Sequence, residues 1–272
     1  MIKIVVDSTC CPSEKYIKEN GIYVNPLRIL FDDREYVEND ALYDEIYEKM
    51  EKTKEIPKTS QPSLESFINI FNEIIDQGNE ALVLTLSQTL SGTYNCACLA
   101  KEQCKNPNKV TVFDTQSIGQ TSIGYVYECV NMINEGKSVN EITTALSKYR
   151  KNSAITFIPE SFDNLKKNGR IGTLKAVVAS LLKIKPIVLF KEGVLSDKKS
   201  IGMAKAISDM IKQVPEKIRQ LFVIKAGHPS YFGDFKQKVL EHFKGKEIKE
   251  GIVSPVVGAH VGPSIGLAWV GE

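Results

Sequence analysis

The sequence predicts an α/β protein with two sheets of different kinds. In the first half of the chain, short apolar strands, polar turns and amphipathic helices alternate, and this order builds a parallel sheet with helices on both faces. In the second half, strands follow one another directly, which favours antiparallel pairing and therefore a mixed sheet. A length of 272 residues suits two domains. We therefore expect a Rossmann-like parallel-sheet domain over residues 1–152 and an α/β mixed-sheet domain over residues 153–272.

Apolar runs and helix stop signals define the elements of the first half. A helix that begins at Pro12 is expected to end at Asn20-Gly21, because glycine commonly follows the last turn of a helix. The predicted strands are 2–6, 81–85 and 110–113, and segments 23–31 and 34–37 form a hairpin or an extended arm. The other predicted helices are 40–52, 64 to Gly78, the segment after Ser91 to residue 103, 122–134 and 140–152.

The second half contains a denser series of strands. The predicted strands are 155–158, 186–190, 194–198, 221–226, 248–253 and 265–270. The predicted helices are 161–168, 175–182, 204–213 and 232–243. The segment around His260 is assigned no helix or strand.

Charge and composition exclude several classes of function. The 35 basic and 33 acidic residues give a net charge of +2 without a basic tract, which argues against nucleic acid as a partner. The longest apolar stretch, 176–182, is too short for a bilayer, which needs about 20 residues. We therefore expect a soluble, cytoplasmic protein without stable membrane insertion. The six cysteines lack zinc-ligand spacing and fit a reducing compartment, so no metal site is predicted.

Two hydroxyl-rich segments are the main functional signal. They are Thr59-Ser60-Gln61-Pro62-Ser63 and Ser91-Gly92-Thr93-Tyr94, and each is placed as a loop at the start of a helix. Helix starts offer free backbone N–H groups and a partial positive charge, so added hydroxyls make a neutral cradle for an anion. The alternative is that these residues are ordinary N-caps. A third segment of this type, Asp7-Ser8-Thr9, favours a shared anion site.

Topology is expected to bring such segments together. Asp7-Ser8-Thr9, the Ser91 segment and Asp114-Thr115-Gln116-Ser117 all follow predicted strands. In a parallel sheet, ligands bind beyond the carboxyl ends of the strands. The sequence therefore predicts an anion site at one edge of the sheet.

Two further polar residues are candidates for the same site. His260 stands among small residues that let a ligand approach the backbone, although a lone histidine is more often structural. Arg170 is either a surface charge at a helix end or an anion clamp on a loop. Neither the dinucleotide fingerprint Gly-x-Gly-x-x-Gly nor the phosphate-loop pattern Gly-x-x-x-x-Gly-Lys occurs.

Six sequence blocks together resemble DegV proteins over the whole chain. They are Asp7-Ser8-Thr9, Thr59-Ser60-Gln61-Pro62-Ser63, Ser91-Gly92-Thr93-Tyr94, Asn168-Gly169-Arg170-Ile171, Lys185-Pro186-Ile187 and Gly262-Pro263-Ser264-Ile265-Gly266. The resemblance implies a two-domain fold that binds a long-chain fatty acid and no other cofactor. It also implies a non-catalytic role as the lipid-binding subunit of a bacterial fatty acid kinase. A separate ATP-dependent kinase subunit would phosphorylate the bound carboxylate to acyl phosphate for phospholipid metabolism.

The resemblance also implies roles for particular residues. Thr59 and Ser91 resemble carboxylate ligands, and Ser60, Gly92 and Thr93 resemble supporting members of the same segments. Arg170 and His260 resemble the charged residues of the family that lie near the headgroup of the fatty acid and assist phosphoryl transfer or docking of the kinase. The chain departs from many relatives in having Gly172 in place of Ser and Ser264-Ile265 in place of Gly-Ala.

The residues leave two other functions open. One is an enzyme acting on a small phosphorylated or acyl metabolite through the same hydroxyl segments, although no metal-binding acidic pair or general base is evident. The other is a hydrolase with Ser91 as nucleophile and His260 as base, for which no orienting carboxylate is evident. For the fatty acid function, the predicted helix 176–182 and the final strand are candidate walls of a tail channel.

Overall fold

The computed structural model describes residues 1–39, 41–171, 174 and 184–272. The strands are β1 Ile2–Asp7, β2 Tyr23–Asn25, β3 Arg28–Phe31, β4 Arg34–Val37, β5 Lys58–Ser60, β6 Glu80–Thr85, β7 Val110–Asp114, β8 Ala154–Pro159, β9 Ile184–Lys191, β10 Val194–Ile201, β11 Ile218–Ala226, β12 Lys249–Ile252 and β13 Ser264–Gly271. The helices are α1 Glu14–Asn20, α2 Leu42–Thr53, α3 Leu64–Asp76, α4 Thr93–Gln103, α5 Gln120–Asn134, α6 Val139–Arg150, α7 Asp163–Lys167, α8 Met203–Ile211, α9 Phe232–His242 and α10 Pro255–Val261.

The N-terminal sheet is parallel, with strand order β2-β1-β6-β7. Alternate residues of β1 point to opposite faces: Ile4 packs in the core that includes α5, and Val5 packs in the core with α3 and α4. Buried side chains on both faces explain why these strands are almost continuously apolar. The predicted parallel sheet with helices on both faces is confirmed.

The C-terminal sheet is mixed, with strand order β10-β9-β8-β13-β11-β12. Its pairs are antiparallel except for β11 and β12, which are parallel. On the central strand β13, Leu267 packs in the core with α8 and α9. Ala268 points to the opposite face, into a core that also contains Leu82 of β6. The predicted mixed sheet is confirmed, while the division at residue 152 stays a prediction.

A third, three-stranded antiparallel sheet corrects the description of the first hydroxyl segment. Thr59 and Ser60 lie in β5, and Thr59 is paired with Ile29 of β3. Only Ser63 occupies the N-cap of α3, where its side chain accepts a hydrogen bond from Ser66 N. The segment is therefore a strand followed by a cap, not a loop at a helix start, because pairing with β3 holds its first residues extended.

Two other differences concern the regions around residues 26 and 260. The predicted arm 23–31 divides into β2, which joins the parallel sheet, and β3, which joins the third sheet. The segment around His260 is helix α10, capped by Ser254 with Pro255 in its first turn. Ser-Pro is a helix-start signal, but the valines and glycine that follow have low helix propensity. The predicted helix 175–182 and Gly172 lie outside the described residues.

Candidate functional site

A cavity of about 320 Å³ lies where β5, α10 and the mixed sheet meet the loops that follow β1 and β6. Its walls are mostly apolar, and their aliphatic and aromatic residues are Leu27, Leu86, Leu90, Ile118, Ile155, Phe157, Leu165, Phe190, Leu195, Ile224, Val253, Val256, Val257 and Val261. A few polar residues complete the lining: Thr9, Thr59, Ser60, Gln61, Ser91, Arg170, His260 and Ser264, with Gly92 beside them. A mainly apolar cavity with few convergent polar groups is typical of a small-molecule site.

Most of the predicted site residues share this cavity. Thr59, Ser60, Ser91, Gly92, Arg170 and His260 all line it. Thr93 is fully buried and lies outside the set of described lining residues. We call Thr59, Ser91, Arg170 and His260 the polar cluster.

Thr59 and His260 are joined directly. Thr59 Oγ1 on β5 lies 2.7 Å from His260 Nε2, in the last turn of α10. If the imidazole Nε2 carries the proton and donates it to the threonine oxygen, the threonine hydroxyl hydrogen is free to donate to a ligand. Among the described residues, His260 Nδ1 is buried without a hydrogen-bond partner, so this ring has unused polar capacity beside the cavity.

His260 is neutral at physiological pH. Burial and the neighbouring charge of Arg170 lower the pKa of its imidazole to about 4. The histidine therefore offers hydrogen bonds without a positive charge. Arg170 is the cation of the polar cluster.

Ser91 is held by the first residue of α4. Its Oγ lies 2.9 Å from Thr93 Oγ1 and accepts a hydrogen bond from Thr93 N at 3.3 Å. When the threonine hydroxyl donates, the serine hydroxyl hydrogen remains available to a ligand. Thr93 thus supports Ser91 from the buried side, consistent with its lying outside the lining.

Gly92 lies against the side chain of Gln61, so the two hydroxyl segments are neighbours. A Cβ atom at Gly92 would lie 2.1 Å from Gln61 Oε1, which is the end of an exposed and flexible side chain that can turn away. The backbone φ of Gly92 is −72°, so its conformation does not require glycine either. The two segments come together at this contact.

Arg170 stands at the edge of the cavity. Its Nε donates to the carbonyl of Leu90 at 3.3 Å, and its Nη1 donates to the carbonyl of Asn168 at 2.8 Å. An adjoining depression that includes Val194 shares Arg170 with the cavity. The guanidinium is solvent-exposed and anchored by main-chain oxygens, so it retains donors for an anion.

Two buried carboxyl groups lie near the cavity: Asp7, which belongs to the third predicted segment, and Glu38, which the sequence does not mark. Asp7 accepts a hydrogen bond from Thr9 Oγ1 at 2.5 Å, which leaves Thr9 only lone pairs to offer to the cavity. Glu38 accepts hydrogen bonds from Ser8 Oγ at 2.5 Å and from Val256 N, in the first turn of α10, at 2.7 Å. Burial raises the pKa of both carboxyls, that of Glu38 to about 7. No local pattern marked Glu38, since its partners lie far away in sequence.

The described part of the chain holds no group of three or more His, Cys, Asp or Glu side chains arranged to bind a metal. Within the same part, no helix combines the length and the apolar character needed to cross a membrane.

The fold and the cavity define an α/β protein with a mainly apolar cavity between a parallel and a mixed sheet. The family model for DegV proteins matches residues 1–272. The chain therefore belongs to the DegV family.

Relatives cover the chain from end to end. A DegV domain-containing protein of Clostridium acetobutylicum is 33% identical over 283 residues, covering 100% of this chain and 98% of the relative. A DegV family protein of Thermus thermophilus, described as fatty acid binding, superposes with a TM-score of 0.90 at 27% identity, covering 100% of this chain and 99% of the other. A stearic acid-binding protein of Eubacterium ventriosum superposes with a TM-score of 0.89 at 26% identity, covering 100% of this chain and 98% of the other.

Proposed function

We propose that this protein binds a long-chain fatty acid, with the tail in the apolar cavity and the carboxylate at the polar cluster. The observation that carries the proposal is that Thr59, Ser91, Arg170 and His260 line one cavity whose other walls are mostly apolar. The fatty-acid-binding relatives from Thermus thermophilus and Eubacterium ventriosum support it.

The physical chemistry of a fatty acid suits such a site. Burial of a sixteen-carbon tail contributes about 12 kcal/mol before costs, at about 0.8 kcal/mol for each methylene. Association and ordering take back a large share of this. Removing the carboxylate from water costs several kcal/mol unless it is hydrogen bonded. The tail therefore supplies affinity, and the polar cluster fixes the position of the headgroup.

Hydroxyl donors leave the bound carboxylate reactive. The hydroxyls of Thr59 and Ser91 are neutral donors, and Ser60, Gly92 and Thr93 support their segments. A tight ion pair would hold the negative charge more strongly and weaken the attack of the carboxylate on a phosphoryl donor. Arg170, at the edge of the cavity, is placed to meet the developing charge without enclosing the carboxylate.

The finer part of the proposal is that the protein presents the carboxylate to a separate kinase subunit. That subunit transfers the γ-phosphoryl group of ATP to the carboxylate and forms acyl phosphate. In this arrangement the DegV protein binds and orients the substrate, and the kinase supplies the chemistry. Arg170 and His260 are the residues of this chain that contact the reacting headgroup or the kinase.

Native mass spectrometry of the purified protein tests fatty acid binding. A carrier retains a species a few hundred daltons heavier, which organic solvent releases as free fatty acid. A protein that carries no such mass, and binds neither added palmitate nor added oleate, contradicts the proposal. Covalent labelling of Ser91 by an alkyl fluorophosphonate would instead favour a hydrolase.

Presentation to a kinase is tested separately. Protein loaded with oleate is mixed with ATP and a purified fatty acid kinase subunit, and acyl phosphate is trapped with hydroxylamine. Acyl hydroxamate that forms only when all components are present supports presentation. Loaded protein that yields none, in an assay where a DegV protein known to couple with that kinase reacts, contradicts it.

A further inference from the structure

Asn168 contacts three segments of the chain at once. Its side-chain amide has two hydrogens, and Nδ2 lies 2.9 Å from the carbonyl of Ala259 and 3.3 Å from the carbonyl of Pro57. Its own main-chain carbonyl accepts a hydrogen bond from Arg170 Nη1 at 2.8 Å. Both side-chain amide hydrogens and the main-chain carbonyl oxygen of Asn168 are therefore engaged in hydrogen bonds.

Each of these contacts lies next to a member of the polar cluster. Pro57 is two residues before Thr59, and Ala259 directly precedes His260. The third contact is made by Arg170 itself, which in turn donates to the carbonyl before Ser91. One short set of hydrogen bonds thus connects the four residues of the cluster, although they come from distant parts of the sequence.

The carbonyl of Ala259 needs a donor from outside its helix. In a continuing helix it would accept from the residue four positions later, which is Pro263 and has no N–H. Asn168 supplies a donor, and Asn164 of α7 supplies a second at 3.1 Å. The end of α10, where His260 lies, is therefore fixed by two asparagines.

The end of α7 fixes the direction of Asn168. The helix stops at Asn168 because Gly169 adopts φ +66°, a left-handed conformation that suits glycine. Gly169 N then donates to the carbonyl of Lys166 at 3.1 Å, and Arg170 N donates to the carbonyl of Leu165 at 3.0 Å. The buried Leu165 anchors this turn to the cavity wall.

We propose that Asn168 is a positioning residue for the headgroup site: it sets the relative positions of Thr59, His260 and Arg170. The inference rests on the proposed function, because the site that Asn168 aligns is the one assigned to the carboxylate. Asn168 lies outside the cavity lining and acts through the residues that it holds.

The substitution Asn168→Ala tests this role, with Asn164→Ala as the matched control. Asn164 donates to the same Ala259 carbonyl, whereas Asn168 also reaches Pro57 and holds Arg170. We expect Asn168→Ala to weaken the binding of oleate about tenfold, because the site loses several hydrogen bonds that position it. Asn164→Ala should weaken the binding by about threefold at most. Affinity is measured by displacement of a fluorescent fatty acid.

Imidazole NMR provides a readout that a general loss of stability would not change. The chain has three histidines, so the ring signals of His260 can be assigned by substitution. Burial is the larger cause of the low pKa of His260 and the charge of Arg170 is the second, so release of Arg170 in Asn168→Ala should raise this pKa from about 4 towards its ordinary value. In Asn164→Ala it stays near that of the parent.

The parent protein gives a measurement that needs no folded variant. The side-chain amide signals of Asn168 are expected to shift when oleate is added, because the headgroup contacts the groups that this amide holds. Unmoved Asn168 signals on oleate binding, or an Asn168→Ala protein with the affinity and the His260 pKa of the parent, would overturn the inference. If the parent binds no oleate, the proposed function fails instead, and the His260 titration still tests the positioning role.

Discussion

Thr59 Oγ1 and His260 Nε2 are 2.7 Å apart, although the two residues are separated by 201 positions in the sequence. The bond joins strand β5 to helix α10 across the wall of the cavity. At the other end of the same helix, Glu38 accepts a hydrogen bond from Val256 N. Helix α10 is thus held at both ends by residues from the region of the three-stranded sheet.

Removing either cluster hydroxyl is expected to weaken fatty acid binding without unfolding the protein. Thr59→Val preserves shape and strand preference, and Ser91→Ala removes one oxygen. A hydrogen bond to a charged group contributes about 1.5–3 kcal/mol, so we expect each variant to bind oleate roughly ten- to a hundredfold more weakly. Isothermal titration calorimetry with oleate measures the change.

A serine far from the cavity serves as the control for these substitutions. Ser138 caps α6 in a capping box with Glu141. Ser138→Ala should cost about 1 kcal/mol of stability and leave oleate affinity unchanged. If Thr59→Val and Ser91→Ala behave like Ser138→Ala, the hydroxyls do not hold the headgroup.

His260 is expected to make the protein less stable as pH falls. Its pKa is about 4 in the folded protein and about 6.5 in the unfolded chain, so the unfolded state binds more protons between these values. The contribution of neutral His260 to the free energy of unfolding is fully present above pH 6.5. It is lost as the pH falls towards 4, by up to roughly 3 kcal/mol. Urea unfolding of the parent and of His260→Gln at pH 4.5, 5.5 and 7 measures this contribution as the difference between the two proteins. His260→Gln should remove this part of the pH dependence, and an unchanged profile in that variant would contradict the assignment.

Glu38 is expected to change stability with pH in the opposite direction to His260. Burial raises the pKa of its carboxyl to about 7, while the unfolded value is near 4.5. The folded state therefore binds more protons between these values, and stability is lost as the pH rises from 4.5 through 7. Because the effects of His260 and Glu38 oppose each other between about pH 4.5 and 6.5, each partly masks the other in the parent.

The variant Glu38→Gln separates the two groups. It keeps an acceptor for Val256 N and removes the titration, so the destabilisation that His260 causes at low pH becomes visible. Stability of Glu38→Gln should then fall as the pH drops from 6.5 to 4.5. A stability profile in Glu38→Gln that falls no more steeply towards low pH than that of the parent would contradict the assignment to Glu38. Double substitution of Glu38 and His260 provides the reference without either titration.

The features predicted from the sequence are those encoded by local pattern. The buried strands of the parallel sheet follow from their apolar runs, and Ser91 was placed correctly after a strand and before a helix. Strand β5 was missed because its three residues are extended only through pairing with β3, as in Ile29 opposite Thr59. Helix α10 was missed because Val256, Val257 and Gly258 favour other conformations in isolation.

The connections between site residues could not be read from the sequence. The contact between Asn168 and Pro57 spans 111 positions, and that between Glu38 and Val256 spans 218. Periodicity and capping rules act over a few residues, so they place Arg170 after a helix but do not identify the carbonyls that anchor it. The residues themselves indicate the hydroxyl segments, Arg170 and His260 as candidates, the family resemblance implies their roles, and the fold supplies their partners.

The contact between Gly92 and Gln61 is expected to tolerate a methyl group. In Gly92→Ala, the new methyl group would lie 2.1 Å from Gln61 Oε1, which is the end of an exposed and flexible side chain. We therefore expect the Gln61 side chain to turn away while the backbone of both segments stays in place, so that the melting temperature remains near that of the parent. Oleate affinity should change only as far as Gln61 contributes to the cavity lining, so Gln61→Ala should give the same affinity as Gly92→Ala. A Gly92→Ala protein with a much lower melting temperature, restored by adding Gln61→Ala, would contradict this and show that the contact constrains the two segments.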